Sequence, residues 1–191
     1  LSSWNVSNVT DMSKMFYHAY EFDSDISGWD VSNVGYFWKT FEWSIKMTSD
    51  LSSWDVSSAV NMAEMFRGAE NFNSDISGWN VSNVATMAQM FKNAPSFDQD
   101  LSDWDVSNVN NFNDMFLSSE DLSEENRCAI HESFSSNENW VYDWIGLCTS
   151  FEALIDTSFA QKYDLSPKNW VIAIDNLGEI RLWGGVFPEL L

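Results

Sequence analysis

The sequence predicts an α/β repeat solenoid, and three observations carry that expectation. The first is a fixed 25-residue period. Leu1, Ile26, Leu51, Ile76 and Leu101 open successive copies, and Trp4, Trp29, Trp54, Trp79 and Trp104 recur three positions later. Val6, Val31, Val56, Val81 and Val106 follow, and Phe16, Phe41, Phe66, Phe91 and Phe116 complete the pattern without an insertion. A constant period of this length marks units that bury their apolar faces only against their neighbours. The second is the pattern inside each copy, which reads as a short extended segment followed by helical spacing. The third is the loss of the period after residue 125, where a cap and a small α+β tail begin.

The third copy illustrates the elements. Leu51-Ser52-Ser53-Trp54-Asp55-Val56 is half apolar, with Trp54 and Val56 two apart on one face, and predicts a strand. Ser57 and Ser58 offer a helix N-cap, as Ser82 and Asn83 do one copy later. Met62, Met65, Phe66 and Ala69 fall at i, i+3, i+4 and i+7, which predicts one face of a short helix. Gly68 or Asn93 suits termination of that helix, and Phe72 packs inward from the returning turn. The methionines belong to this core face. Stacking turns each apolar position into a column, including the five indoles in one buried row. The small residues Ala19, Ser44, Ala69, Ala94 and Ser119 mark close approach of neighbouring helices.

Composition narrows the function classes. Apolar residues make up 45% of the 191, which argues against disorder. The 29 Asp and Glu outweigh 9 Lys and Arg, for a formal net charge of −20. That balance disfavours nucleic acid and anionic membrane surfaces, both of which recruit Lys and Arg. Calcium is a conceivable cation, and no other cofactor is expected. No apolar run is long enough to span a bilayer, so direct membrane insertion is not expected. The chain opens inside a repeat, without a Met or a basic-then-apolar leader, and reads as a mature or trimmed piece of something longer. Cys128 and Cys148 are the two cysteines. They read as one disulfide in an oxidising compartment, worth ~3 kcal/mol in the chain-entropy treatment. Two buried free thiols are the alternative.

The strings Phe72-Asn73-Ser74-Asp75-Ile76-Ser77-Gly78-Trp79-Asn80-Val81-Ser82-Asn83-Val84 and Asn61-Met62-Ala63-Glu64-Met65-Phe66 resemble the BspA-like surface-protein repeats. That family is a leucine-rich-repeat-like group of bacterial and some eukaryotic surface proteins. The resemblance covers residues 1–125. The segment Leu122 to Cys148, with Asn126-Arg127-Cys128-Ala129-Ile130-His131, is similar to the tail that often ends such arrays, which extends the likeness to 148. It implies a secreted or cell-surface, non-enzymatic protein linked with adhesion, and transfers no catalytic residues.

The second repeat departs from the pattern and supplies the candidate binding site. It reads Val34-Gly35-Tyr36-Phe37-Trp38-Lys39-Thr40-Phe41, with Thr40 in a core methionine position. Tyr36, Trp38 and Trp43 stand where the third repeat has Asn61, Ala63 and Gly68, all outward slots. The first repeat adds Tyr17, His18 and Tyr20. An exposed patch of Tyr17, Tyr20, Tyr36, Trp38 and Trp43 fits a protein or glycan partner at a cell surface. A second copy of the chain, missing upstream residues or local repacking around Thr40 are the competing explanations.

Outward rows of Ser2, Ser27, Ser52, Ser77 and Ser102, beside Asn5, Asp30, Asp55, Asn80 and Asp105, admit calcium, glycan or ice binding. The turn adds Asp25, Asp50, Asp75 and Asp100. Recurrence in every copy favours a structural task in tight turns. The expected function is thus an adhesion or recognition module, with a display spacer as the alternative and a calcium- or ice-binding array as a further one.

Three domains are expected: the repeats at 1–125, a cap at 126–148, and a tail at 149–191. Leu122-Ser123-Glu124-Glu125 predicts a capping box for a helix reaching Phe134. Trp140, Tyr142, Trp144, Ile145 and Leu147 are expected to cover the open end of the stack. Residues 149–165 read as a helix. Trp170–Ile174 and Glu179–Trp183 read as a hairpin around Asn176-Leu177-Gly178. No catalytic set emerges: His18 and His131 lie far apart, and Cys128 with His131 lacks the further ligands a zinc site wants.

Overall fold

The computed structural model describes residues 1–148, 171–174 and 180–183. The chain divides into two compact units, Leu1–Cys148 and Thr149–Leu191. In the first, five 25-residue coils stack in register, and a parallel single-residue bridge links each to the next through Asp11, Tyr36, Asn61, Thr86 and Asn111.

The coils are not strand–helix units. Residues 1–123 contain neither a strand nor a helix, only turns and isolated bridges, so the expected α/β, leucine-rich-repeat-like solenoid is not what forms. The face read as a helix is built from two consecutive four-residue turns. In the third coil Met65 N–H donates to the Met62 carbonyl, and Ala69 N–H to that of Phe66. The third residue of each turn, Glu64 at φ 56° and Gly68 at φ 68°, lies in the left-handed region. A positive φ at that place is the signature of a type II turn. It rotates alternate peptides so that their N–H groups point along the stack rather than back along the chain. Met62, Glu64, Phe66 and Gly68 therefore donate to the carbonyls of Thr86, Ala88, Met90 and Lys92 in the next coil. The same four rungs recur at every interface between coils.

Two turns of four residues place their first and last side chains on one side. Met62, Met65, Phe66 and Ala69 are all fully buried, as a helix would have buried them. Leu51, Trp54 and Val56 are likewise buried, but on turns that end with Trp54 N–H on Leu51 and Ala59 N–H on Val56.

Columns run through the stack. Phe16, Phe41, Phe66, Phe91 and Phe116 stack at centroid spacings of 5.4, 5.6, 5.8 and 5.6 Å. Those distances suit offset stacking, and each fully buried ring contributes about 1.5–3 kcal/mol. The indoles of Trp29, Trp54, Trp79 and Trp104 are at most 5% exposed. Their N–H groups donate to the carbonyls of Leu1, Ile26, Leu51 and Ile76 in the preceding coil at 3.0–3.3 Å. Trp4 does not join the buried row: it stacks on Trp29 on one side and is 55% exposed. Where polar residues replace core ones they bond to the neighbouring coil. Thr40 donates to the Met12 and Phe37 carbonyls, and Ser44 to that of Phe16.

The far end of the stack is closed by substitutes for a sixth coil. Helix α1, Glu124–Phe134, starts at the N-cap Ser123 and buries Ile130, His131 and Phe134. Asp98 of the fourth coil accepts from Ser123 and Asn126 and so fastens the helix start. Ser133 donates to the Ser102 carbonyl, and Asn137 to those of Val106 and Val109. The Phe116 N–H, whose counterparts bond to a following coil, donates instead to the Tyr142 hydroxyl at 2.8 Å. Trp140 and Trp144 pack on Phe116, whereas Ile145 is 62% exposed and covers nothing. A disulfide joins Cys128 of α1 to Cys148, with a Cα–Cα distance of 4.9 Å.

In the second unit Val171–Ile174 (β1) and Ile180–Trp183 (β2) pair antiparallel, with Val171 opposite Trp183. The two expected strands are present and paired; the turn between them, the expected helix at 149–165 and the last residues lie outside the described residues.

Gly68 tests the inter-coil fit. A Cβ on Gly68 would meet the Trp43 ring at 2.3 Å, while one on Gly78 meets nothing within 4 Å. Gly68→Ala is expected to lose about 2 kcal/mol from overpacking and left-handed strain. Gly78→Ala should be nearly neutral. Adding Trp43→Ala should return part of the Gly68→Ala loss. Denaturant melts of the four proteins measure the coupling.

Candidate functional site

The two turns that make the stack also set out its side chains. Equivalent positions of neighbouring coils lie side by side, so residues 25 apart in sequence become neighbours. Tyr17, Tyr20 and Tyr36 are 43%, 47% and 49% exposed. Trp38 and Trp43 are half-buried. Of the five residues expected to form a patch, the structure links Tyr17 and Trp38 through two lysines. The Lys14 Nζ stands 4.5 Å from the Trp38 ring and 5.8 Å from that of Tyr17, and the Lys39 Nζ stands 5.4 and 5.8 Å from the same rings. An ammonium at such a distance is held by the negative face of the ring. Tyr20 joins through His18, whose Nδ1 lies 2.8 Å from the Tyr20 hydroxyl while its ring packs 4.1 Å from Tyr17. Tyr36 makes no ring–ring contact among the described residues. Trp43 makes no ring–ring contact among the described residues, and its ring lies against Gly68.

Beneath Trp38 lies a closed ring of ion pairs. Lys39 contacts Glu42 at 2.8 Å and Glu64 at 2.9 Å; Arg67 contacts Glu42 at 3.1 Å and Glu64 at 2.7 Å. Glu42 is 2% exposed. Its Oε2 is ion-paired with Lys39 but accepts no well-aligned hydrogen bond, and the buried Arg67 Nε has no acceptor. The Trp38 indole N–H donates to Glu64 at 3.4 Å. Burial pushes the Glu64 carboxyl up, but hydrogen bonds from Lys39, Arg67 and Trp38 outweigh it and hold the group below its ordinary value. Burial likewise pulls Lys39 down, and Glu42 and Glu64 more than restore it. Removing one member of a buried pair strands the other, so this ring fixes Trp38 and Lys39 in place. Sequence reading missed Lys14, Lys39 and the ring. The available signal was opposite charge at equivalent repeat positions: Lys39 with Glu64, and Glu42 with Arg67.

The Ser/Asp rows are occupied by their own turns. Asp25, Asp30, Asp50, Asp55, Asp75, Asp100 and Asp105 each accept the N–H of the serine two residues on, as Asn5 and Asn80 do. Several also accept the serine hydroxyl. These bonds hold Asp25, Asp30, Asp50, Asp55, Asp75 and Asp105 below the usual carboxylate range. Among the described residues, the cluster with metal-ligand spacing is Cys128, Glu132 and Cys148, and its two sulfurs are bonded to each other. His131 is buried on α1, where its Nδ1 faces the Trp140 indole N–H at 3.2 Å.

A stack of turn-built coils that share one backbone pattern, with an aromatic, lysine-bearing surface, defines a tandem-repeat protein. The family described as "Mycoplasma protein of unknown function, DUF285" matches residues 1–66 and 37–129, and the chain belongs to it. No curated protein and no solved structure shows significant similarity to the chain.

The aspartates fix the acid limb of stability. Their carboxyls are depressed in the fold and ordinary in the unfolded chain. The stability they confer is present above the ordinary value of 3.8 and is lost as pH falls through the lower folded values. The melting temperature in high salt, which suppresses general charge repulsion, is expected to fall progressively as pH drops through that value and below it. Replacing Asp30, Asp55 and Asp105 by Asn, the residue that serves in the same turn at position 80, should flatten the fall.

Proposed function

We propose that this chain is a non-enzymatic recognition module of a secreted or cell-surface protein, which binds a protein or glycan partner through the aromatic patch of its first two coils. The observation that carries the reading is the distribution of exposed rings. Tyr17, Tyr20 and Tyr36 are exposed large side chains gathered in two coils, and the third and fourth coils carry small or polar residues at the matching positions. The scaffold does not require aromatics there, since those coils stack without them. The resemblance of the repeats to BspA-like surface proteins favours the same reading. The Cys128–Cys148 bond favours an oxidising compartment. The net charge of −20 disfavours nucleic acid as the partner.

Tyr17 and Trp38 are the anchors to test. Truncating a central anchor commonly costs about 2 kcal/mol or more, so Tyr17→Ala and Trp38→Ala are expected to weaken binding at least tenfold. Tyr17→Ala should leave the melting temperature nearly unchanged. Trp38→Ala should lower it modestly, because the bond to Glu64 goes with the ring. Screening cell-surface proteins and glycans with the full chain and then with the variants is the experiment. Binding indifferent to both substitutions would remove the patch from the account, and no binding at all would leave a display spacer.

A further inference from the structure

The first coil carries half of an inter-coil interface. At each interface within the stack, four N–H groups of one coil donate to four carbonyls of the next; the second coil accepts on Tyr36, Trp38, Thr40 and Glu42. The matching carbonyls of the first coil, on Asp11, Ser13, Met15 and Tyr17, accept no hydrogen bond from another backbone N–H among the described residues. The indoles of Trp29, Trp54, Trp79 and Trp104 each donate to the opening residue of the coil before. Their counterpart in the first coil, Trp4, is 55% exposed. Val9, Met15, Phe16 and Phe22 are half-buried, whereas the residues at the same positions of the next three coils are buried.

The carbonyl row selects its occupant. Acceptors that all point one way need N–H groups that all point back. A second copy of the chain docked by the same face would set carbonyls against carbonyls. An ordinary strand edge carries its own carbonyls between its N–H groups and would bring acceptors onto acceptors. Head-to-tail stacking of copies is blocked, because the Phe116 N–H of the last coil is taken by the Tyr142 hydroxyl. A coil of the same turn-built pattern presents a row of N–H groups alone, as the first four coils do. Charge adds a second criterion. Lys39 is ion-paired at 2.9 Å with Glu64, which holds the same repeat position in the neighbouring coil. Lys14 holds that position in the first coil; it is exposed and has no carboxylate partner among the described residues. Consecutive coils follow one another without a linker. A coil joined through Leu1 therefore docks without the loss of translational freedom that a separate chain would suffer.

Going beyond the recognition reading, which concerns the outward patch, we infer that the open face of the first coil is a docking surface for a further coil of the same build, joined through Leu1 and bearing a carboxylate opposite Lys14. Extending the full chain ahead of Leu1 by a copy of Leu51–Asp75, which carries Glu64 at that repeat position, tests it; a scrambled copy of the same composition is the control. The true copy is expected to raise the melting temperature by several degrees. It should also slow exchange of the Trp4 indole N–H, followed by NMR, by at least about tenfold, since a buried, bonded N–H exchanges only when the structure opens. The scrambled copy should do neither. Lys14→Gln in the chain and Glu64→Gln in the added copy should each reduce the rise, and together reduce it no further than one alone. An unprotected Trp4 in the true extension, or equal protection by the scrambled one, would overturn the docking surface. A Trp4 already protected in the unextended chain would overturn it too, by showing the face covered from within. Equal protection from the Leu51–Asp75 peptide added separately would overturn the junction through Leu1 in favour of a partner chain. Additive effects of Lys14→Gln and Glu64→Gln would overturn the charge criterion. Each outcome is independent of binding through Tyr17 and Trp38.

Discussion

The peptide rotated by a left-handed residue at the third place of each turn is the constraint on which the rest depends. It sends alternate N–H groups along the stack, so every coil satisfies its backbone on the next one. Nine of the ten such positions hold residues other than glycine, from Lys14 to Ser118. Each carries a conformational cost of roughly 1–2 kcal/mol. The rungs between coils and the burial of the Met and Phe columns offset that cost only when neighbours are present. A single coil has no means of support, and stability belongs to the interfaces.

A fold held along one axis imposes a rule on substitution. A change in one coil has to be answered by the coil beside it. The Thr40 hydroxyl finds the Met12 carbonyl, and the wide Trp43 ring lies where Gly68 has no side chain. Glu42 is buried because Arg67 stands one coil away. The end of the stack obeys the same rule by other means. The Tyr142 hydroxyl takes the place that a sixth coil's backbone carbonyl would fill, the Asn137 amide binds the Val106 and Val109 carbonyls, and the disulfide ties that segment to α1.

The candidate site follows from this geometry. Lys14 and Trp38 are 24 residues apart, on adjacent coils, and meet because the stacking register is fixed. The ion-pair ring below them is a product of the same register, with its charges at two repeat positions in two coils. The surface is therefore braced by ion pairs underneath and chemically varied on top.

The period, the buried columns and the start of the cap were legible in the sequence, because hydrophobic spacing reports which side of the chain faces inward. Met62, Met65, Phe66 and Ala69 are buried as their spacing required. The same spacing could not say that they sit on turns. A helix and a pair of four-residue turns both bring positions i, i+3, i+4 and i+7 to one side, and the deciding positive φ falls mostly on residues such as Lys39 and Glu64 that give no sign of it. The outward rings could be named from the broken repeat, yet their roles could not: Trp43 serves packing against Gly68, while Trp38 joins Tyr17 through the lysines. Sequence determined what is buried and what repeats. Only the tertiary structure decided how the backbone satisfies itself and which side chains meet, because both depend on hydrogen bonds and contacts between residues a whole coil apart.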